Sequence, residues 1–375
     1  MTSCNRIVVK AGTTLLIHGT DQLNLQVMST MVEQIVRLHR QGIEIILVSS
    51  GAVAAGRHVL GVSKEEKTVP FRQVLAAAGQ GRLMHVYEQL FDWHQVPVGQ
   101  ALLTRNDLSD RLGYLNVRNT LLSLLELRVI PIANENDVVA VDELAGEIFG
   151  DNDNLSAMIA NLVDADLLVM LGEMEGLYTA DPHLDDSAHL IPTIERMDTD
   201  IEALGGDSWG DQGRGGMATK LEAARLATNS GVNVVIASGL ERDILPRLAK
   251  GERIGTFIAA TGTKKESRKR WMLSGLSNGG NIVIDDGAST ALLQNNGSLL
   301  PAGVKEVVGI FNRGDIVSIQ DTHSTQIAAG ITNYSSKELD MIKGKHSNQI
   351  DELLGHQYGD EVVHRNNMVM LQELS

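Results

Sequence analysis

Short apolar runs recur through the first two thirds of the chain, and they limit the possible folds more than any other feature. They are residues 7–9, 43–48, 98–103, 129–133, 165–171 and 232–237. Stretches with helical spacing lie between them. Leu25, Met28, Val32, Ile35 and His39 share one helical face, and Gly42 is a natural stop. Residues 69–93 read as one long helix containing Gly79 and Gly81, and residues 108–127 as another. Repeated strand–helix–strand order is the pattern of βαβ units. The expectation is therefore a doubly wound or sandwich α/β domain around a parallel sheet, ending near residue 260. Ligands of such sheets bind at the carboxyl ends of the strands.

Polar chemistry gathers at those strand ends. The run 129–133 delivers Asn134-Glu135-Asn136-Asp137, and after an insert come Gly150-Asp151-Asn152-Asp153-Asn154 and a helical pattern from Leu155. Asn and Asp weaken both helices and strands. One such cluster could be a polar turn with an Asx-type cap. Two clusters flanking one loop favour a site for a small polar ligand. The first strand ends in Lys10-Ala11-Gly12-Thr13, a charge followed by small residues that expose backbone N–H groups, which suits an anion. The plain alternative is a surface lysine before a turn. The second strand ends in Ser49-Ser50-Gly51-Ala52 and leads into a helix N-terminus whose amides, with Ser50, can hold a carboxylate or phosphate.

Two glycine-rich stretches resemble nucleotide-binding fingerprints without completing them. Residues 51–56 begin like a Walker A loop but continue into Arg57-His58, so the lysine and hydroxyl that hold phosphate and magnesium are missing. Residues 213–218 match the G-x-G-x-x-A spacing of a dinucleotide fingerprint. No strand precedes them, and the next strand ends in Ala237-Ser238-Gly239 without an acid for a ribose. A glycine-rich loop opening a helix that carries Lys220 suits a nucleotide phosphate instead. A flexible loop with a solvated lysine is the alternative.

Residues 260–270 form a polar connector rich in Lys and Arg, the usual composition of a solvated linker. Beyond it the pattern changes to short strands at 282–284, 307–311, 316–319 and 326–329, punctuated by Gly279-Gly280, Asn295-Asn296-Gly297 and Arg313-Gly314-Asp315. That describes a second, mostly β domain. The net charge of −15 argues against a general nucleic-acid or anionic-membrane binder. Cys4 is the single cysteine, so no intrachain disulfide can form, as befits a reducing compartment. No apolar run approaches the roughly 18 residues that cross a bilayer, and the N-terminus does not read as a signal peptide. A cytoplasmic protein without membrane partners is expected.

The chain resembles the glutamate 5-kinase family of amino-acid kinases along nearly its whole length. The resemblance lies in residues 9–13, 49–52, 75–80, 103–105, 134–137, 150–156, 176–182 and 215–220, in that order. Residues 278–355 look like a PUA domain, through Asp286-Gly287-Ala288, residues 298–303 and residues 311–315. The implied division is a catalytic domain over 1–260, a linker over 261–277 and a PUA-like domain over 278–375. The implied fold is the amino-acid-kinase sandwich around a mainly parallel sheet, plus a small mostly-β domain.

The implied reaction is transfer of the γ-phosphoryl group of ATP, carried with Mg2+, to the side-chain carboxylate of L-glutamate, at the start of proline synthesis. By resemblance, Lys10 and Lys220 are the phosphate-contacting lysines and Asp153 the acid that holds them. Ser50, Asn134, Asp137 and Asn152 match the glutamate positions. Gly172, Glu173, Arg214, Gly215, Gly216, Met217, Ala218 and Thr219 align with the nucleotide segments. No protein-bound metal is implied. The chain departs from the family in Gly172-Glu173, where Ser/Thr-Asp is common, in Arg214, where Thr is common, and in Thr14, where Ser is usual. The segment 138–149 also looks longer. The resemblance further implies a homo-oligomer, and proline as a candidate feedback inhibitor at the glutamate-site loop. Rival readings are another amino-acid kinase substrate, such as aspartate, N-acetylglutamate, carbamate or a nucleotide, and an RNA-binding protein. RNA binding is not expected; the basic run 264–270 is the patch that would test it.

Overall fold

A computed structural model of the chain describes residues 4–20, 22–62, 68–140, 152–182, 184–205, 216–264, 280–295 and 297–371. It divides into two compact units, one of residues 1–108 and 118–264, the other of residues 109–117 and 265–375.

The first unit is built on strands β1 (Arg6–Ala11), β2 (Glu44–Ser49), β3 (Val98–Leu103), β4 (Ile130–Glu135), β5 (Leu167–Gly172), β6 (Thr193–Ile194), β7 (Asn233–Ser238) and β8 (Thr256–Ile258). They form one sheet in the order β3-β4-β2-β1-β5-β7-β8-β6. Neighbours run parallel except β7 and β8, which are antiparallel. The helices in chain order are α1 (Thr13–Leu16), α2 (Leu25–Arg40), α3 (Ala52–Leu60), α4 (Val69–Asp92), α5 (Arg105–Ser109), α6 (Arg111–Glu126), α7 (Asn152–Leu162), α8 (Thr199–Ala203), α9 (Gly216–Asn229) and α10 (Ile244–Ala249).

Side chains of β1, β2, β4 and β5, among them Val9, Leu47, Ile132 and Val169, pack against Met28, Ile35, Leu83 and Phe91 of α2 and α4. Asn24 caps α2, its side chain accepting from Gln26 N and Val27 N at 3.1 and 3.2 Å. Helices α3 and α4 touch backbone to backbone. A Cβ on Gly56 would lie 1.8 Å from Leu75 O, and one on Gly79 would lie 1.9 Å from Ala52 O. Only glycine permits this approach. At the turn from β2 into α3, Gly51 takes φ 104°.

The structure redraws several of the elements expected from the sequence. The helix expected over 108–127 is two helices, broken at Asp110, whose side chain accepts from Gly113 N at 2.8 Å and starts α6 afresh. Strand β4 runs two residues further than its apolar run, because Asn134 and Glu135 pair with Leu102 and Leu103 of β3. In the second unit, the strand expected over 307–311 is β10 at Val304–Val308, stopped by Gly309 at φ 89°.

The second unit holds β9 (Asn281–Ile284), α11 (Asp286–Asn295), β10 (Val304–Val308), β11 (Ile316–Gln320), β12 (Gln326–Ile331), α12 (Ser336–Ile342), α13 (Ile350–Leu354) and β13 (Met368–Met370). Strand β13 was not expected from the sequence. The sheet order is β10-β9-β11-β12-β13, antiparallel apart from the β9–β11 pair. Ile282, Phe311, Val317, Ile319 and Tyr334 form its core. Leu115, from residues 109–117, packs in this unit with Ile316, Ala329 and Val369. Most of the expected linker, 265–277, lies outside the described residues.

Candidate active site

Strands β1, β2, β4 and β5 end side by side, and the polar residues of the sequence motifs meet there. Register fixes this: Lys10 lies opposite Val48 of β2 and Met170 of β5, and Ala11 lies opposite Ser49. Lys10 is 2% exposed. Its Nζ stands 2.6 Å from Asp153 Oδ1, and Lys220 Nζ stands 3.2 Å from Asp153 Oδ2. Thr219 Oγ1 donates to the same Oδ2 at 2.9 Å, and Lys220 Nζ also donates to Gly216 O at 2.9 Å. The first turns of α7 and α9 thus present an acid and a base to the end of β1.

The Asp153 side chain is fully buried. Burial alone would push its carboxyl up. The Lys10 and Lys220 charges, with hydrogen bonds from Lys10 and Thr219, outweigh that and hold it well below the usual carboxylate range. Asp153 is therefore a fixed anion. It holds two ammonium groups in one place and cannot serve as a proton acceptor near neutral pH.

Beside this charged cluster runs a chain of amides. Asn152 Nδ2 donates to Ser50 Oγ at 3.1 Å and to Asn134 Oδ1 at 3.0 Å. Glu135 N donates to Asn134 Oδ1 at 2.9 Å and to Asn152 Oδ1 at 3.3 Å. Asn134 Nδ2 donates to Gln80 Oε1 of α4 at 2.7 Å. These bonds fix both amides in one orientation each. Asp137 is also buried, and burial pushes its carboxyl up to about 6 despite the opposing charge of Arg72.

Lys10, Ser50, Asn134, Asn152, Asp153, Thr219 and Lys220 are brought together as the sequence suggested. Gly172 ends β5 beneath Lys220, whose Cε would lie 3.8 Å from a Cβ there. Glu173 faces the surface and pairs with His18 Nδ1 at 2.6 Å. Met217 is buried, so its side chain belongs to the packing of α9. Ala218 lies on the same helix. Arg214 and Gly215, with Gly150, Asp151, residues 141–149 and the basic run beyond Lys264, lie outside the described residues. Sequence reasoning did not single out Gln80 or Arg72 as site residues. The signal for Gln80 was its place after Gly79, in a run of small residues that lets one helix lie against another.

The amino acid kinase family model matches residues 5–238, and the PUA domain model matches residues 280–354. Glutamate 5-kinases from two strains of Dehalococcoides mccartyi are 53% and 54% identical to the chain over 366 residues, 98% of it and 98% of each of them. The chain belongs to the amino acid kinase family, among the glutamate 5-kinases. The glutamate 5-kinase of Herpetosiphon aurantiacus is 48% identical over 97% of the chain and 98% of its own length. The family's α/β fold and its PUA domain correspond to the mainly parallel sheet and the smaller β-rich sheet described above. No helix among the described residues is long and apolar enough to cross a membrane.

Proposed function

We propose that the chain is an ATP-dependent kinase of the L-glutamate side chain, forming L-glutamyl 5-phosphate, the first intermediate of proline synthesis. One observation carries this reading: two lysines from different elements converge on one buried carboxylate, beside a rigid amide network at the ends of four parallel strands.

The γ-carboxylate of glutamate is already an anion, so no general base is needed, and the low-lying Asp153 carboxyl is suited only to holding charge. What transfer requires is alignment of nucleophile and phosphorus, and positive charge where negative charge spreads over the phosphoryl oxygens. Lys10 and Lys220 supply that charge from β1 and from α9. Asp153 limits their movement, and Thr219 supports Asp153. Ser50, Asn134 and Asn152 bind the carboxylates of the amino acid. Ser50 Oγ accepts from Asn152, which leaves its O–H to donate to substrate. One Asn134 N–H goes to Gln80, leaving its second for the ligand. Asp137 receives the substrate ammonium, which repays its buried charge.

The nucleotide segments are Gly172-Glu173 and residues 214–220. The substrate is ATP with Mg2+. The ion would ride on the ATP phosphates and need few protein ligands. In this reading residues 1–260 are the catalytic domain, 261–277 the linker and 278–375 the PUA-like domain. The enzyme works in the cytoplasm as a homo-oligomer, with proline competing at the glutamate site. The test is ADP release with MgATP and glutamate, aspartate or N-acetylglutamate side by side. Release driven by glutamate supports the reading; release driven only by one of the other two overturns it.

A further inference from the structure

A cavity of about 130 Å3 lies at the amino ends of β5 and β7, where Leu167 and Asn233 are partners in register. The candidate active site lies at the other end of the same strands. Leu167 and Gly172 begin and end β5, about 17 Å of extended chain apart. The apolar walls of the cavity are Leu167, Val235, Leu248, Ala249, Ile254 and Phe257. Each belongs to the main core of the first unit or packs against it. An apolar cavity of roughly 150 Å3 holds a benzene molecule, so this one has room for about a single ring or a short branched chain.

Its polar edge is made by Cys4, Asp166, Asn233, Glu252 and Arg253. The two acids are already satisfied. Asp166 Oδ1 accepts from Lys264 Nζ at 2.6 Å, and Asp166 Oδ2 accepts from the backbone N–H of Asn5 at 2.8 Å and of Arg6 at 3.0 Å. Both oxygens of Glu252 accept from Arg247, at 2.6 and 2.9 Å. Burial first, and then the Asp166 charge, push the Cys4 thiol up to about 12, so it lines the cavity as a neutral group. Two donors are left over. Asn233 Oδ1 accepts from Ala260 N at 3.0 Å, which fixes the amide and leaves its NH2 to donate elsewhere. Arg253 is exposed, and among the described residues it has no carboxylate partner. The charge left uncompensated at this edge is therefore positive.

We infer that this cavity is a binding site for a small apolar carboxylate, of the size and kind of benzoate. Apolar walls with a few polar groups at the edge are the make-up of a small-molecule site. The Arg253 guanidinium and the Asn233 amide match the ligand's carboxylate. Lys264 keeps Asp166 from repelling it. Phe257 offers a ring for the ligand's apolar body to pack against. Both halves of the ligand are needed: a bare carboxylate leaves the walls unfilled, and an uncharged ring leaves Arg253 without a partner. No ammonium is wanted, since neither acid at the edge has a charge to spare. The site is at the opposite strand ends from Lys10 and Asp153, so neither glutamate nor MgATP competes for it. A ligand bound there stabilises the folded chain by mass action. The site stands whatever reaction the chain catalyses.

The experiment is calorimetric titration of the full-length protein with benzoate, benzyl alcohol and acetate, the last two each lacking one half of the ligand. Benzoate is expected to bind saturably, equally well with and without saturating glutamate, and the other two roughly tenfold more weakly or worse. Ala249→Phe fills the cavity and should abolish benzoate binding. Arg253→Gln should weaken benzoate roughly tenfold, to the level of benzyl alcohol, and leave benzyl alcohol unchanged. Arg253 is exposed, so its replacement keeps the fold if Ala249→Phe does not. Both variants should keep the turnover of the parent. Absence of saturable benzoate binding would overturn the site. So would benzoate binding that glutamate displaces and neither variant weakens, and benzyl alcohol binding as tightly as benzoate would overturn the ligand class.

Discussion

The Lys10 ammonium and the Asp153 carboxylate lie 2.6 Å apart with 3% and 0% of their side chains exposed. A pair so deeply buried is weak as a source of stability, because desolvation offsets most of its attraction. Breaking it by removing one partner is costly. Asp153→Asn is predicted to destabilise the protein by about 3–5 kcal/mol in chemical denaturation, and to lower turnover by at least 100-fold. Replacing Lys10 and Asp153 together by Met and Leu should recover much of the stability and none of the turnover. The folded Asp153 carboxyl titrates below its unfolded value, so its contribution is present above the unfolded pKa and is lost as pH falls toward the folded one.

Asp137 behaves in the opposite sense. Its folded pKa is raised to about 6, so the native state holds this proton more tightly than the unfolded chain. Its contribution to stability is full below the unfolded value and declines as pH rises through about 6. An ammonium ligand needs the ionised form. The KM for glutamate should therefore rise as pH falls below 6, by about tenfold per unit, with little change in the KM for ATP. Asp137→Asn should bind glutamate weakly at every pH and lose that slope. It should also be more stable than the parent at pH 8, by on the order of 1–3 kcal/mol.

Much of this site was legible in the sequence, because each strand run ends directly in its polar group. Lys10, Ser50 and Asn134 are local consequences of where a strand stops. Gln80 was not legible as a site residue. Its contact with Asn134 spans 54 positions and depends on α3 and α4 meeting at Gly56 and Gly79. Arg72 reaches Asp137 from the same helix. The break at Asp110 was missed because the apolar spacing continues across it, while the capping carboxylate acts on backbone alone. Strand β10 was misplaced because Val307 and Val308 read as its start, whereas Gly309 makes them its end.

Gly79→Ala tests the helix contact. Alanine gains about 1 kcal/mol of helix propensity, but its Cβ would stand 1.9 Å from Ala52 O and 2.3 Å from Gly56 N, and neither atom can swing aside. Overpacking of about 1–3 kcal/mol or more should win, giving a net loss of stability on thermal melting. Gln80→Leu, which removes only the amide, should raise the KM for glutamate several-fold and leave that for ATP unchanged.

Gly172 and Glu173 are open to change. A Cβ at Gly172 meets Lys220 Cε at 3.8 Å, an ordinary contact. The Glu173–His18 pair is more than 40% exposed on both sides, so it contributes little. The double replacement Gly172→Ser with Glu173→Asp should change stability by less than about 0.5 kcal/mol. Any effect should fall on the KM for ATP, measured at saturating glutamate.

The most direct test of the two-lysine site is glutamyl phosphate formation trapped as a hydroxamate, with MgATP, in the parent protein and in folded Lys10→Met and Lys220→Met variants. Glutamate-dependent hydroxamate is expected from the parent, and at least a 100-fold loss in each variant with glutamate binding retained. Full turnover by either variant, or no hydroxamate from a parent protein that binds both substrates, would contradict it.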